Sequence, residues 1–276
     1  MSYFTRRILP LIDLFCVQTE LDGERLAALG APASRIRALG SAKYDVATVD
    51  LSGEERAHAL LAEAGITSDH RIILGGSTWP GEENALMDAF KGLKTRHRNL
   101  VLILAPRHME RKAAVIAEIQ GQGMSFVQRS TMGEAPIRAT PQVFLLDTTG
   151  ELKNFYSSAD VIFVGKSLTQ HGGQNPIEPA LHGKAIICGP FMENFRGVVE
   201  DFIAADALVQ VPDLQNLRRT LDDLLTNEQR RTAMGLRAAA VVAQKRGALD
   251  RTLELLDIVV NDGATAVEGH APGSER

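Results

Sequence analysis

Cysteine is scarce in this chain of 276 residues, with two in all, and aromatic residues supply only 5% of it, a single tryptophan among them. Cys16 and Cys188 are far apart and match no metal or redox spacing. A disulfide scaffold and a cysteine-based metal site are therefore excluded, and both residues read as buried thiols of a reducing compartment. No apolar run approaches the roughly eighteen residues of a membrane-spanning helix, which leaves any membrane contact peripheral. Arg6-Arg7 ahead of Ile8 to Val17 imitates a signal peptide, but Asp13 interrupts the apolar stretch and no small-residue cleavage site follows. Strong charge of one sign is also missing. Thirty Lys and Arg against 34 Asp and Glu give a net charge of −4, which offers nucleic acid no global attraction. No histidine and carboxylate spacing resembles a zinc or iron site.

What is present is an ordinary globular balance, 45% hydrophobic and 23% charged, enough for one large or two modest domains with a proper core. Short apolar runs at Arg71 to Gly75, Asn99 to Leu104, Gln142 to Leu146, Asp160 to Val164 and Lys184 to Gly189 read as strands. Amphipathic stretches such as Glu82 to Lys94 and Glu110 to Gln120 separate most of them, and helices are expected at Asp213 to Leu225, Glu228 to Ala243 and Ala248 to Val260. Strands alternating with helices make right-handed βαβ units, so the fold class is α/β with a Rossmann-like doubly wound parallel sheet. That domain is placed at residues 46–260. Residues 1–45 hold a strand at Leu14 to Val17, a helix near Asp22 to Leu29 and a strand near Ile36 to Leu39, only a fragment of an α/β unit. Residues 261–276, rich in Gly, Ala, Ser and Pro, read as a flexible tail.

Ligands of open α/β sheets bind at the carboxyl ends of the strands, and four loops there carry suitable chemistry. After the strand at Asp160 to Val164, Gly172 and Gly173 permit a turn and close approach of a ligand, Asn175 caps a helix and Pro176 stands where its first turn needs no N–H. Glu178, three residues past the cap, either closes a capping box or accepts hydrogen bonds from ribose hydroxyls; an ordinary capped helix explains the segment as well. Ser77 and Thr78 point hydroxyls from the same edge, or simply cap the helix that follows. Pro106-Arg107-His108 offers a planar guanidinium suited to phosphate, or a structural ion pair. Thr149, Gly150 and Glu151 open another helix. His171 has no acidic partner in view and reads as a loop histidine, and Lys43 by composition reads as a solvated linker lysine. The four loops together point to nucleotide binding.

Leu29-Gly30-Ala31, Gly40 to Asp45, Gly76-Ser77-Thr78 with Gly81-Glu82-Glu83, Ala105 to His108, Gly150-Glu151-Leu152 and Phe163 to Pro179 occur in this order and resemble the 3-deoxy-D-manno-octulosonic acid (Kdo) transferases, from about Leu11 to Leu256. The resemblance implies the C-terminal domain of a GT-B glycosyltransferase that moves Kdo from CMP-Kdo to a lipid A precursor in lipopolysaccharide biosynthesis. That reaction runs at the cytoplasmic face of the inner membrane, with no cofactor and no metal. It implies CMP contacts at Pro106, Arg107, Thr149, Gly150, Glu151, Asn175, Pro176, Ile177 and Glu178 and a transition-state role for Lys43; Ser77, Thr78, Gly172 and Gly173 join the donor site on the loop chemistry alone. Two positions depart from the family pattern: Thr149 stands where methionine is common, and Trp79 where histidine is. The family also carries an acceptor-binding domain with a glutamate base, and none of Glu20, Asp22 or Glu24 matches that base. The expectation is a chain with most of the N-terminal domain absent that binds the donor nucleotide and transfers weakly or not at all alone, with a separately encoded N-terminal half as a candidate partner. The alternatives are a non-catalytic nucleotide-binding module, and another GT-B enzyme or epimerase using a UDP-sugar.

Overall fold

Consecutive β-branched and aliphatic residues cannot face water on either side, so each such run needs a sheet covered on both faces. The computed structural model, which describes residues 2–134 and 136–268, meets that need with a seven-stranded parallel sheet. Its strands are β3 (Arg71–Thr78), β4 (Leu100–Pro106), β5 (Phe126–Gln128), β6 (Val143–Leu145), β7 (Val161–Val164), β8 (Ala185–Cys188) and β9 (Val209–Gln210), numbered after a short pair in the other unit. The order is β5-β6-β4-β3-β7-β8-β9. Connections run outward from β3 through β4 to the edge strand β5, step back to β6 and then cross to β7 on the other side of β3. The topological switch point therefore lies between β3 and β7, which pair from Ile73 with Val161 to Gly76 with Val164.

Helices cover both faces. On one, α4 (Glu82–Lys94), α5 (Lys112–Gly121) and α9 (Leu214–Thr226) bury Leu86, Phe90, Val115, Ile119, Leu217 and Leu221 against the sheet. On the other, α3 (Leu51–Glu63) and the single turn α6 (Leu152–Phe155) bring Ala57, Leu61 and Phe155 against Ile72, Leu74 and Phe144. Asp50 starts α3 by accepting from the Gly53 amide at 3.0 Å. α7 (Ile177–Leu181) and α8 (Arg196–Ala204) complete the crossovers to β8 and β9.

The chain divides into two compact units, residues 48–242 and residues 1–47 with 243–276, the boundary falling in the last turn of α10 (Glu228–Lys245). The smaller unit holds α1 (Ser2–Ile8), β1 (Phe15–Val17), α2 (Glu20–Ala28), β2 (Ile36–Ala38) and α11 (Ala248–Glu268), with β1 and β2 paired in parallel. Within it Asp45 accepts from the amides of Gly247 at 2.6 Å and Leu249 at 2.8 Å, so the carboxylate serves the start of α11.

Two expectations are corrected here. α11 continues to Glu268 instead of giving way to a tail at Asn261; one glycine, Gly263, costs a formed helix only about 1 kcal/mol and does not end it. Residues 269–276 of the expected tail lie outside the described residues. Cys188 is buried in β8, but Cys16 is exposed, because alternate residues of a short two-stranded pair face opposite sides and Val17 takes the inner one.

Candidate functional site

At the switch point the two central strands end in the same unusual way. Ser77 has φ +52° and Lys166 φ +56°, left-handed values for non-glycine residues. Ser77 is the extra residue of a bulge that shifts the β3–β4 register between Gly76 and Thr78. Gly165 lies so close to β3 that a side chain there would collide with the Ser77 carbonyl. This kinked pair of strand ends floors a cavity of about 380 Å³. β4 adds Pro106 and Arg107 to its wall, the loop after β6 adds Thr148, Thr149 and Gly150, and the approach to α7 adds Gln174, Asn175 and Glu178.

Seven of the residues expected at a ligand site thus surround one hollow: Ser77, Pro106, Arg107, Thr149, Gly150, Asn175 and Glu178. Arg107 is exposed, and its amide donates to the Thr78 carbonyl at 3.0 Å, which fixes the backbone while the guanidinium stays without a carboxylate partner among the described residues. Asn175 Oδ1 accepts from the Ile177 amide at 3.0 Å and its Nδ2 donates to Glu178 at 3.3 Å. Asn175 therefore holds the Glu178 carboxylate as well as the turn before α7.

The other expected residues are placed elsewhere. Thr78 is buried and donates to Glu83 at 3.0 Å, and neither it nor Ser77 caps α4, whose cap position is Gly81. Glu151 turns to Arg129 at 2.9 Å and accepts from Thr148 Oγ1, which directs its carboxylate away from the wall. Pro176 and Ile177 are buried. Gly172 and Gly173, at φ +117° and +73°, serve packing: a side chain at Gly173 would collide with Met192, and one at Gly172 would crowd Asn194 and the Lys166 ammonium. Lys43 belongs to the smaller unit, half-buried in the turn Ala42–Tyr44. His171 does have an acidic partner, Glu193, at 2.7 Å; the two are twenty-two positions apart, in different loops, and sequence spacing gave no sign of the pair. The hydrogen bond to His171 is the main cause holding the Glu193 carboxyl down at about 2.

Two residues that carry the site's architecture escape sequence reading. The Glu82 carboxylate is fully buried and accepts four backbone amides, Trp79 at 2.9 Å, Lys166 at 2.8 Å, Ser167 at 2.9 Å and Leu168 at 3.0 Å. It ties the loop after β3 to the loop after β7. Burial raises its pKa, against the pull of those four amides. Tyr156 lines the cavity from the turn after α6, and burial first, then the charge of Glu178, pushes its phenol up so that it stays protonated. Glu82 stood in the Gly81-Glu82-Glu83 motif with no role of its own, because an acidic residue in the first turn of a helix is routine; Tyr156 had no signal.

A family model described as glycosyl transferases group 1 matches residues 84–241, and one described as 3-deoxy-D-manno-octulosonic-acid transferase (kdotransferase) matches residues 1–46. The 3-deoxy-D-manno-octulosonic acid transferase of Haemophilus influenzae is 33% identical over 248 residues, 89% of this chain and 56% of its own. That of Bordetella pertussis is 36% identical over 256 residues, 91% of this chain and 58% of its own. The chain thus spans little more than half the length of these curated relatives. Among solved structures, the C-terminal CMP-Kdo binding domain of WaaA from Acinetobacter baumannii is 28% identical with a TM-score of 0.64, covering 70% of this chain and 99% of that domain. A glycosyltransferase from Rickettsia africae, at 15% identity and a TM-score of 0.59 over 94% of this chain and 68% of its own, shares the fold. Among the described residues no helix is long and apolar enough to cross a membrane.

Proposed function

The chain belongs to the group 1 glycosyl transferases and is similar to Kdo transferases over 89% to 91% of its length; from that premise we propose that its 48–242 unit grips the nucleotide of CMP-Kdo for transfer of Kdo. One observation carries the reading. Three strand ends bring Arg107, the 148–150 loop and the Asn175–Glu178 pair around one hollow at the switch point of a doubly wound sheet. Arg107 suits the phosphate as an unpaired planar cation. Glu178, held by Asn175, suits the ribose hydroxyls as an acceptor. The similarity to a domain described as binding CMP-Kdo supports cytidine over other bases.

In the proposed reaction an acceptor hydroxyl oxygen bonds to the anomeric carbon of Kdo. The bond from that carbon to the CMP phosphate oxygen breaks with its electron pair leaving on CMP, and the hydroxyl proton passes to a base. Positive character grows on the sugar and negative charge on the departing phosphate, so cations fixed beside that phosphate lower the barrier. Arg107 supplies one such charge; a transition-state role for Lys43 is proposed through its place in the family motif alone. We extend the proposal to a lipid A precursor as acceptor, to peripheral action at the cytoplasmic face of the inner membrane and to transfer without a metal.

Thermal unfolding with CMP, UDP and ADP, each in large excess, tests the nucleotide reading. Ligand at a hundred times its dissociation constant stabilises by about 2.7 kcal/mol, roughly 5–10 °C for a unit of this size. A shift with CMP and not with the others is expected. Preference for UDP would replace Kdo transfer with UDP-sugar chemistry, and the absence of any shift would overturn the donor-site reading.

A further inference from the structure

We propose that Lys166 binds the carboxylate of the donor sugar, a role that rests on the donor-site reading above and goes beyond it. A CMP-linked octulosonic acid carries two separate negative charges, the phosphodiester and the sugar acid. Most cations around the cavity are already committed to carboxylates: Arg111 to Glu83 at 2.9 Å, Lys112 to Asp147 and Arg129 to Glu151 at 2.9 Å, with Lys153 within 3.9 Å of Asp50. Arg107 and Lys166 remain, neither with a carboxylate partner among the described residues. Two uncommitted cations face two donor charges, and Arg107 lines the nucleotide-sized hollow while Lys166 stands just outside it.

Its position fits the sugar. A hollow of about 380 Å³ suits the nucleotide, so the sugar must lie beyond it. On β3, β4 and β7 the chain passes from a cavity-lining residue to one that builds a second row: Ser77 to Trp79, Arg107 to His108, and Val164 to Lys166. Trp79 meets both of the others, with the Lys166 ammonium 4.6 Å from the centre of its ring and the His108 ring edge-on to it at 4.8 Å. The aromatic face holds the ammonium without neutralising it, which keeps a cation available to an incoming anion.

The backbone adds an independent argument. At φ +56° a glycine would sit without strain and a lysine does not, yet the fold keeps lysine here and ties the segment down through Glu82 at the Lys166 amide and the Gly173 amide at the Lys166 carbonyl. A strained non-glycine residue at the mouth of a site, held by its surroundings, is where a functional side chain is to be sought.

The test compares CMP with freshly synthesised CMP-Kdo by titration, read from the fluorescence of Trp79, the chain's single tryptophan. In the unsubstituted chain CMP-Kdo is expected to bind about tenfold tighter than CMP, the effect of one charge-assisted contact. Lys166→Gly, which removes the strain with the charge, and Lys166→Met, which keeps the stem over Trp79, are both expected to bring that ratio to about twofold or less. CMP affinity itself should stay within about twofold, and Lys166→Arg should keep the preference. Circular dichroism melting checks folding, and Lys166→Met decides the matter if the glycine variant unfolds. A tenfold preference surviving both neutral variants, or no preference in the unsubstituted chain, overturns the assignment while leaving the nucleotide site standing. Failure of the unsubstituted chain to bind CMP overturns both.

Discussion

Replacing Glu82 by Gln tests the claim that one buried carboxylate holds the mouth of the site together. Glu82 Oε1 accepts from Ser167 and Leu168, and Oε2 from Trp79 and Lys166. A glutamine keeps one acceptor oxygen and turns an NH2 group toward the other two amides, so two buried donors lose their acceptor. Each such loss costs about 1–3 kcal/mol. Removing a charge whose burial is itself unfavourable, as the raised pKa of Glu82 records, returns part of that. The net expectation is about 2–4 kcal/mol of lost stability, roughly 5–15 °C in Tm for a unit of this size, and Glu82→Ala should cost more because all four amides are stranded. Urea unfolding should be followed by Trp79 fluorescence and by far-ultraviolet circular dichroism together. Trp79 sits in one of the two stapled loops, so its transition is expected to move to lower urea at least as far as the dichroism does, and CMP affinity is expected to fall with it. A Glu82→Gln unfolding free energy within about 0.5 kcal/mol of that of the unsubstituted chain would show that Glu82 does not hold the two loops, since the amides would then find water or other acceptors at no cost.

Arg107→Ala should leave the melting temperature within about 1–2 °C, as expected for an exposed side chain without a carboxylate partner among the described residues, while weakening CMP binding by about ten- to a hundredfold through loss of a charge-assisted contact; calorimetric titration checks it. Thiol titration at pH 8 should find one fast-reacting cysteine in the native chain and two in denaturant, because Cys16 is exposed while burial pushes the Cys188 thiol up to about 12. Asp147 gives an acid-side dependence. Burial works to raise its pKa, but hydrogen bonds from Lys112 and Ser130 outweigh that and hold it below 3.8. A depressed folded-state pKa means stability that is present above the unfolded value and lost as pH falls through the folded one. Asp147→Asn should therefore flatten the decline in stability below about pH 4, measured as urea midpoint against pH.

The strands that form the centre of the sheet were legible because their burial leaves no choice of residue: Ile72 to Leu74, Leu100 to Leu104 and Val161 to Val164 are apolar without interruption. β5 and β9 were not, since Phe126–Gln128 is only half-buried and Val209–Gln210 is two residues long, too little for a period to declare itself. The loops were legible as punctuation after strands, which is why Arg107, Gly150, Asn175 and Glu178 could be named from order alone. Their division of labour was not. Gly172 and Gly173 have the positive φ their residue type suggested, but the need comes from Met192 and Asn194, some twenty positions away. Glu82 and three of the four amides it accepts are more than eighty positions apart, and only the parallel pairing of β3 with β7 brings them together.

That pairing also decides where a ligand's anion has to go. Three consecutive amides after β7, those of Lys166, Ser167 and Leu168, would make an anion nest if they were open to a ligand. They are not, because the chain supplies its own anion in Glu82. The part of the motif that looks most like a phosphate loop is thus satisfied internally. On the proposed donor-site reading a phosphate would be left with Arg107 on one side and the 148–150 loop on the other, both on the β4–β6 half of the cavity. Hydroxyl groups are left with Asn175 and Glu178 on the β7 half. On the donor-site reading proposed above, the nucleotide would lie across the switch point with its phosphate turned toward β4, and the group beyond the phosphate would leave past His108 and Trp79, over the ring that carries the Lys166 ammonium.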